Sequence, residues 1–575
     1  MNTPIAISTE RVDDVPLLFG MIEKMGIQPI VDAIVEPHGN RQGLSIGWMI
    51  VIWLIHILTE QTHCMDVVRE WVPTLAKTWQ RLTDQAVSEL DFTDDRLADV
   101  LRYLSCDADW HRIEAEMGAH QVRVYGLPND VVRLDGTSAA VSHDAQSHAL
   151  FKPGRGKQGQ WDVQFQVMVG SIDPLGLPLA VDVVAGNKAE DPLYVPCYQR
   201  IKRTLDRDGL LVIGDAKMSA LETRGTIAAG HDYYLTPLAN IGEVPTLLAE
   251  WLQPVWAEQQ ALTAIFLPEE VAEDGQAPDP ELAIAHGFVV SRQQQATIAG
   301  QLEVWEERCL VLRSSAYAQA LQTHFWQRVA KAEQALRDLT PRPGRGKRQI
   351  TDEATLQVKI QAIVEQYRVE GWFDIHYERQ VSQRQVRAYR GQAARVEEQV
   401  RYQITVQRNQ TALAHAERLL GWRVYATNAP AERLTLTDAV LAYRDQYVVE
   451  RVFRRLKGRR LSITPLYVQR DDHALGLIRL LTLAVRLLAL HEYTTRRALA
   501  ETHSELSGIY AGNPKRSTAR PTTERLLRRF QHITLTTVHL PDRVVCQVTP
   551  LTAVQNQILA LLGFSPSLYT DLASA

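Results

Sequence analysis

Tyr443, Gln446, Glu450 and Lys457 follow the spacing Y-x2-Q-x3-E-x6-K within the run LAYRDQYVVERVFRRLKGRR. Neither Pro nor Gly interrupts that run before Gly458, so it reads as helix, and at about 100° per residue the four side chains fall within an arc of roughly 60°. Val448, Val449, Val452, Phe453 and Leu456 form an adjoining apolar stripe that predicts docking on a core. Of residues 451–460, six are Arg or Lys. A lone carboxylate beside that much positive charge suits a metal-binding acid facing a polyphosphate substrate. For this helix taken by itself, a solvated charged face with incidental Glu–Arg pairs is the plainer reading.

Two upstream segments supply further acids. Val131-Val132-Arg133-Leu134-Asp135 precedes Gly-Thr-Ser, and Leu210-Leu211-Val212-Ile213-Gly214-Asp215 precedes Ala-Lys-Met. Both are short apolar, β-branched runs that read as buried strands ending in an aspartate, where a carboxylate reaches solvent and a metal. Taken alone, either Asp reads as a turn or cap residue. Between and after them lie strand-like runs at 161–172 and 176–186, a helical run at 194–205, a helix at 219–230 and a strand at 231–238. The order β-β-β-α-β-α-β, with one Asp on the first strand and another on the fourth, is that of a ribonuclease H-like core. An acid on a later helix, Glu450, would complete its metal site.

The stretches LDGTS around Asp135, GDAKMSALETR around Asp215 and YRDQYVVERVFRRLK around Glu450 resemble DDE transposases of the IS4 superfamily, and within it the IS1634-like group. The opening segment, from TERVDDVPLLFGMIEKMGIQPIVD to LDFTDDRLADVL, is similar as well, so the resemblance runs from about residue 9 to about 490. It implies that Asp135, Asp215 and Glu450 are the catalytic, metal-binding triad. It implies DNA-phosphate contacts at Tyr443, Gln446, Arg454 and Lys457. One departure is visible: the family's usual Arg between Tyr and Glu is Gln446 here.

The activity so implied is that of an insertion-sequence transposase, which cleaves DNA strands at element ends and joins them to a target by a cut-and-paste route. Both steps are in-line displacements at a phosphodiester, with water and then a DNA 3′-hydroxyl as nucleophile. Two Mg2+ or Mn2+ ions about 3.5–4 Å apart serve such chemistry, and hard carboxylate oxygens suit them. The implied partners are double-stranded DNA, as terminal inverted repeats and as target, and a second copy of the chain in a DNA-bound homodimer. Two other classes stay open. A ribonuclease H-like nuclease or resolvase would cut without joining, and a decayed element remnant would bind DNA without cutting.

Length and composition fit an α/β protein in which a large insertion interrupts the ribonuclease H-like core and a helical domain precedes it. At 575 residues the chain is too long for one ordinary domain. The expected division is an N-terminal helical domain at 1–125, for DNA-end recognition or dimerisation, and a first core part at 126–240. An insertion domain at 241–425, a second core part at 426–500 and a basic C-terminal region at 501–575 follow. The gap of 241–425 is far longer than an ordinary loop, so a separable body is expected there. Within 1–125, turns are expected near His38–Gly43 and Leu90–Asp95, and no helix-turn-helix signature stands out.

Net charge is only −5, so basic residues act through local clusters rather than through the whole chain. Five scattered cysteines without a C-x-x-C pair argue against a disulfide framework or a structural zinc site, and for reduced cytosol with the nucleoid as the working compartment. The first fifteen residues lack the regions of a signal peptide. The apolar run at 46–58 is too short to span a bilayer comfortably and reads as a buried helix with His56 as a core residue. A second apolar run at 477–490 carries Arg479 and Arg486 as one polar seam, suited to packing behind the Glu450 helix.

Pro-Gly-Arg-Gly-Lys occurs at 153–157 and again at 343–347, without the leading Gly or following Ser/Thr of a P-loop; both read as basic surface loops. The acidic, Pro-containing stretch around 268–280 reads as an exposed loop. His143 and His148 sit in a polar loop after the first Asp, where metal ligation is the less favoured reading. The basic stretch PKRSTARPTTERLLRR reads as a DNA-contacting tail or a linker before a last helix.

Overall fold

The computed structural model describes residues 6–156, 159–270, 279–342, 344, 349–386, 393 and 395–574. After strand β1 (Ala6–Arg11) come seven helices: α1 (Val15–Lys24), α2 (Ile27–Ile34), α3 (Ile46–Glu60), α4 (Met65–Trp71), α5 (Ala76–Thr83), α6 (Asp94–Ser105) and α7 (Asp107–Tyr125). The apolar run expected to be a buried helix is α3. Ser45 caps it by accepting from the Trp48 N–H, and residues from Ile46 to Leu58 are buried on nearly every side. His56 lies inside that helix, 1% exposed and edge-on to Trp71, and burial lowers its pKa to about 4, so it is neutral.

The central sheet begins with β2 (Val131–Ala140), β3 (Lys152–Arg155), β4 (Trp161–Ile172) and β5 (Leu177–Ala185), and continues after helix α8 (Tyr194–Leu205) with β6 (Leu211–Gly214), helix α9 (Leu221–Ala229) and β7 (Tyr233–Pro237). β4 runs antiparallel to β2 and to β5, while β2, β6 and β7 are mutually parallel. The spatial order β5-β4-β2-β6-β7 is a ribonuclease H-like core. It arises because two hairpins put β4 and β5 on one side of β2, whereas the α8 and α9 crossovers return parallel strands to the other. The strand expected to end at Asp135 instead runs on to Ala140, because residues 136–140 keep pairing with β4 after β6 has stopped. In the first Pro-Gly-Arg-Gly-Lys segment, Pro153 to Arg155 lie in edge strand β3; Lys157 and most of the second copy are outside the described residues.

Beyond β7 come α10 (Val244–Trp256), β8 (Thr263–Ile265), β9 (Ala285–Ile298) and β10 (Gln301–Ser314). The stretch 271–278 of the expected acidic loop lies outside the described residues. Next are α11 (Ser315–Arg337), α12 (Glu353–Tyr367), the hairpin β11 (Phe373–Val386) with β12 (Arg395–Arg408), α13 (Gln410–Arg418) and β13 (Trp422–Thr427). β13 pairs with β7, and β10, β9 and β8 follow it, so a single ten-stranded sheet crosses residue 241. The part from α11 to α13, with the β11–β12 hairpin, gathers around one apolar core, centred on Phe325, Val329 and Leu336, while α10 packs on β9, β10 and β13 in a second, around Leu252, Cys309 and Val311.

The chain closes with α14 (Leu436–Arg444), α15 (Tyr447–Lys457), α16 (Asp471–Glu501), α17 (Thr523–Leu527), β14 (Thr534–His539), β15 (Val544–Val548), α18 (Ala553–Leu562) and α19 (Ser567–Thr570). β14 pairs with β1, tying the two ends of the described chain together. α16 is long and apolar enough to cross a membrane, yet 89% of its apolar window is buried inside the protein. Its expected polar seam is internal: Arg479 bonds the Leu104 carbonyl and pairs with Asp107, and Arg486 donates to the Leu179 carbonyl at 3.0 Å. The N-terminal helices, β4, β5 and α16 share one continuous apolar core, so α1–α7 are not packed as a body apart.

Candidate active site

β2 and β6 pair in parallel with Leu134 opposite Gly214. One residue further along each strand, Asp135 and Asp215 therefore emerge side by side where β6 ends. Glu190 arrives from the connection between β5 and α8. Among the described residues, Asp135, Glu190 and Asp215 are the one group of three such side chains whose ligand atoms all lie within 4.8 Å of one another. They line a cleft of about 500 Å³ together with Thr137, Trp161, Lys188 and Lys217.

Each acid has an anchor. Asp215 accepts from the Tyr194 hydroxyl at 2.7 Å and from the Lys217 N–H at 2.9 Å, capping the short turn that follows β6. Asp135 accepts from the Gly136 N–H at 2.8 Å. Glu190 pairs with the Lys217 ammonium. Burial by itself would lower the Lys217 pKa, but the Glu190 contact prevails and raises it. Tyr194 is fully buried; burial first and the Asp215 charge next push its hydroxyl well above the usual range, so it is a fixed donor. A Cβ at Gly136 would collide with the Glu190 carboxylate, so glycine lets Glu190 close over β2 beside Asp135. Three carboxylates with no His or Cys among them make a hard-oxygen donor set, which fits Mg2+ or Mn2+.

The expected single helix through Tyr443 and Lys457 is two helices, α14 and α15, broken at Asp445 and Gln446. The cause lies across the molecule. Buried Arg133 of β2 donates to the Ala442 carbonyl at 2.7 Å, and the Gln446 N–H turns instead to the Tyr443 carbonyl. The one-face argument therefore holds within α15, for Glu450, Arg454 and Lys457, but not for Tyr443 or Gln446.

Even so, α15 is pinned to β2 on both sides of Asp135. Arg133 holds the turn ahead of it, and Lys457 donates to Thr137 Oγ1 at 2.7 Å and to the Ser138 carbonyl at 2.8 Å. Arg133 is fixed in turn by Asp173 at 2.7 Å. Val448, Val449, Val452, Phe453 and Leu456 form the buried stripe, as the spacing predicts. Glu450 is exposed in the first turn of α15 and is not one of the three acids within 4.8 Å. Tyr443 is packed 4.6 Å from the Tyr425 ring. Burial raises its pKa above the usual range, and the charges of Tyr425, Asp215 and Asp135 add to that. Gln446 precedes α15 with its Oε1 buried and without a hydrogen-bond partner, and Arg454 is exposed.

Glu190, Lys217 and Tyr194 are functional candidates that the sequence reading passed over. The signal for Glu190 was an acid followed by Asp191-Pro192 at a helix entry between two core elements. His143 and His148 turn away from the acids: His143 contacts the Val468 carbonyl at 2.9 Å, and His148 contacts Asp471 at 2.7 Å at the start of α16.

No protein-family model matches the chain, and no curated protein matches it. Among solved structures it is similar to piggyBac transposase in a synaptic complex with hairpin DNA, determined by cryo-EM. Identity is 7%, over 98% of this chain and 85% of that chain, with a TM-score of 0.35. A likeness that loose assigns no role to any residue; the fold rests on strand order and register.

Proposed function

We propose that the protein is a DDE-type DNA transposase that cleaves DNA strands at the ends of its element and joins them to target DNA, with Asp135, Asp215 and Glu450 as its catalytic acids. The observation that carries the reading is the juxtaposition of Asp135 and Asp215 at the end of two adjacent parallel strands, with the Glu450 helix pinned to β2 on either side of Asp135. The IS4-like, IS1634-like wording of the three motifs supports it. Divalent ions held by these acids would supply charge neutralisation at the phosphate and activation of the attacking oxygen. The chain's own residues do the rest. Lys457 and Tyr443 hold the backbone beside the acids, Tyr194 and Lys217 orient Asp215 and Glu190, and the cleft admits one strand. In cleavage, water attacks phosphorus and the P–O3′ bond breaks, leaving a 3′-hydroxyl; in transfer, that hydroxyl attacks a target phosphodiester and displaces another 3′-oxygen. A homodimer on two DNA ends and a cytoplasmic location belong to the same proposal.

A second reading is favoured by one observation: Glu190 already completes a group of three acids without α15. A nuclease that cuts and does not join could work with that group. The deciding experiment incubates the full chain with duplex DNA carrying the inverted repeats found beside its gene, and with Mg2+ or Mn2+. Cleavage and joined products support the transposase, cleavage alone supports the nuclease, and neither with either ion rejects both.

A further inference from the structure

α15 itself lines a second feature. There a cleft of about 460 Å³ opens between α15, the C-terminal half of α16 and α17, and its walls hold seven arginines against two glutamates. The seven are not equivalent. Glu492 takes up Arg451 at 2.9 Å, Arg455 at 2.5 Å and Arg496 at 3.0 Å, and Arg460 is held on the Leu58 carbonyl at 2.7 Å. Arg454, Arg459 and Arg528 are exposed and have no carboxylate partner among the described residues. Burial lowers the pKa of Arg496, and the neighbouring Arg451 and Arg455 lower it further, although Glu492 opposes them. Three hydrated guanidinium groups without a carboxylate partner, beside four others, give the cleft a positive field that attracts an anion.

Geometry narrows the anion. Arg454 lies four residues from Glu450 and three from Lys457, so all three are neighbours on one stretch of helix surface. Arg454 thus links the acid side to the arginine side. The eleven residues of α15 extend about 16 Å, a length over which roughly five phosphates of one strand rise along a duplex axis. Arginine forks match phosphate oxygens in pairs, whereas a small anion would need only one or two of them.

We propose that this cleft binds the phosphodiester backbone of double-stranded DNA, taking the duplex that runs on from the strand held at the acid site. This rests on the transposase reading for the identity of the polyanion, but its test is separate. Full-length R459A/R528A and R459K/R528K are compared with the parent by fluorescence anisotropy, on a duplex of about 30 base pairs and across about 50–200 mM salt. The alanine pair should bind about tenfold more weakly, with the log–log salt slope reduced by about 2, and the lysine pair should keep most of the slope. Cleavage of a short duplex that ends a few base pairs from the cut should be unchanged in the alanine pair.

Unchanged affinity and slope in the alanine pair overturn the cleft, and so does an equal loss in the lysine pair, which marks a structural role. Tighter binding of duplex RNA or of a polyglutamate peptide than of DNA, lost in the alanine pair, replaces the occupant. DNA binding through the cleft without any cleavage would leave the cleft standing and remove the transposase. Cleavage by a parent whose alanine pair binds like itself would do the reverse.

Discussion

The acid cleft, which α15 reaches through Lys457 at Thr137 and Ser138, and the arginine cleft, which α15 lines directly, each crowd like charges but control that charge differently. In the acid cleft the counter-groups are single and short-ranged: one hydroxyl on Asp215 and one ammonium on Glu190. In the arginine cleft a single nearly buried carboxylate, Glu492, ties down three guanidinium groups and leaves three others exposed. The first arrangement fixes donor atoms to within 4.8 Å, which a metal ion of defined coordination needs. The second fixes a scaffold and leaves long, flexible side chains at its rim, which suits a polymer read by charge rather than by sequence. On the transposase reading, rigid local pairing marks where bonds are to be broken, and partial neutralisation marks where a backbone is to be held.

The largest effects should come from the acid side. Asp135→Asn and Asp215→Asn keep size and remove one ligand charge, so cleavage should fall by about a thousandfold or more while duplex binding stays close to the parent. Mn2+ binding, followed by electron paramagnetic resonance, should weaken in both. In metal-free buffer the same variants should melt no lower than the parent, since each relieves repulsion among carboxylates; a marked fall in melting temperature would mean that the acids are structural.

Glu450→Gln and Glu190→Gln divide the two readings of the third acid. On the transposase reading, Glu450→Gln should nearly abolish cleavage, and Glu190→Gln should cost about ten- to a hundredfold by loosening Lys217 and the floor of the cleft. If Glu450→Gln cuts as well as the parent and Glu190→Gln does not, the catalytic group is Asp135, Glu190 and Asp215. α15 would then serve only to bind DNA.

The particular residues show why some of this was legible in the sequence and some was not. Asp135 and Asp215 could be read because each ends a short apolar run, and parallel pairing of those runs follows from the strands β4 and β5 and the single α8 crossover between them. α3 could be read from unbroken apolar length, and α16 from an apolar run whose two arginines, Arg479 and Arg486, fall on one seam. Glu190 reaches the site only through the β5–α8 connection and the missing side chain of Gly136, neither of which leaves a periodic mark. The break between α14 and α15 is set by Arg133, 309 residues earlier in the chain, and no local propensity announces it. Likewise the expected insertion boundary at 241 falls inside one sheet, because β7 pairs with β6 on one side and with β13, from the end of the excursion, on the other. Local pattern fixed elements; long-range capping and edge pairing fixed their joints.

A smaller effect is expected at Lys457, which sits between the two clefts. Lys457→Ala removes the tie of α15 to Thr137 and Ser138 and, on the transposase reading, one cation offered to the DNA backbone. Binding should weaken several-fold, with the salt slope lower by about one unit, roughly half the change expected from the arginine pair. A slope change as large as that of the arginine pair would merge the two clefts into one binding surface.

The smallest effect should be that of Gln446→Arg, and it sharpens the comparison because it adds a cation to the acid side. Gln446 precedes α15, and its buried Oε1 lacks a partner, so the glutamine amide contributes little that an arginine would destroy. Against the change stands the positive end of the α15 dipole, where an added cation costs about 0.3–1 kcal/mol. In its favour stands the phosphate that the proposed function assigns to Lys457 and Tyr443. If that phosphate passes Gln446, single-turnover cleavage should stay equal or rise a few-fold, and the melting temperature should drop slightly. A clear fall in cleavage with DNA binding unchanged would mean that no phosphate passes there, and the backbone path would have to be redrawn through Arg454 alone.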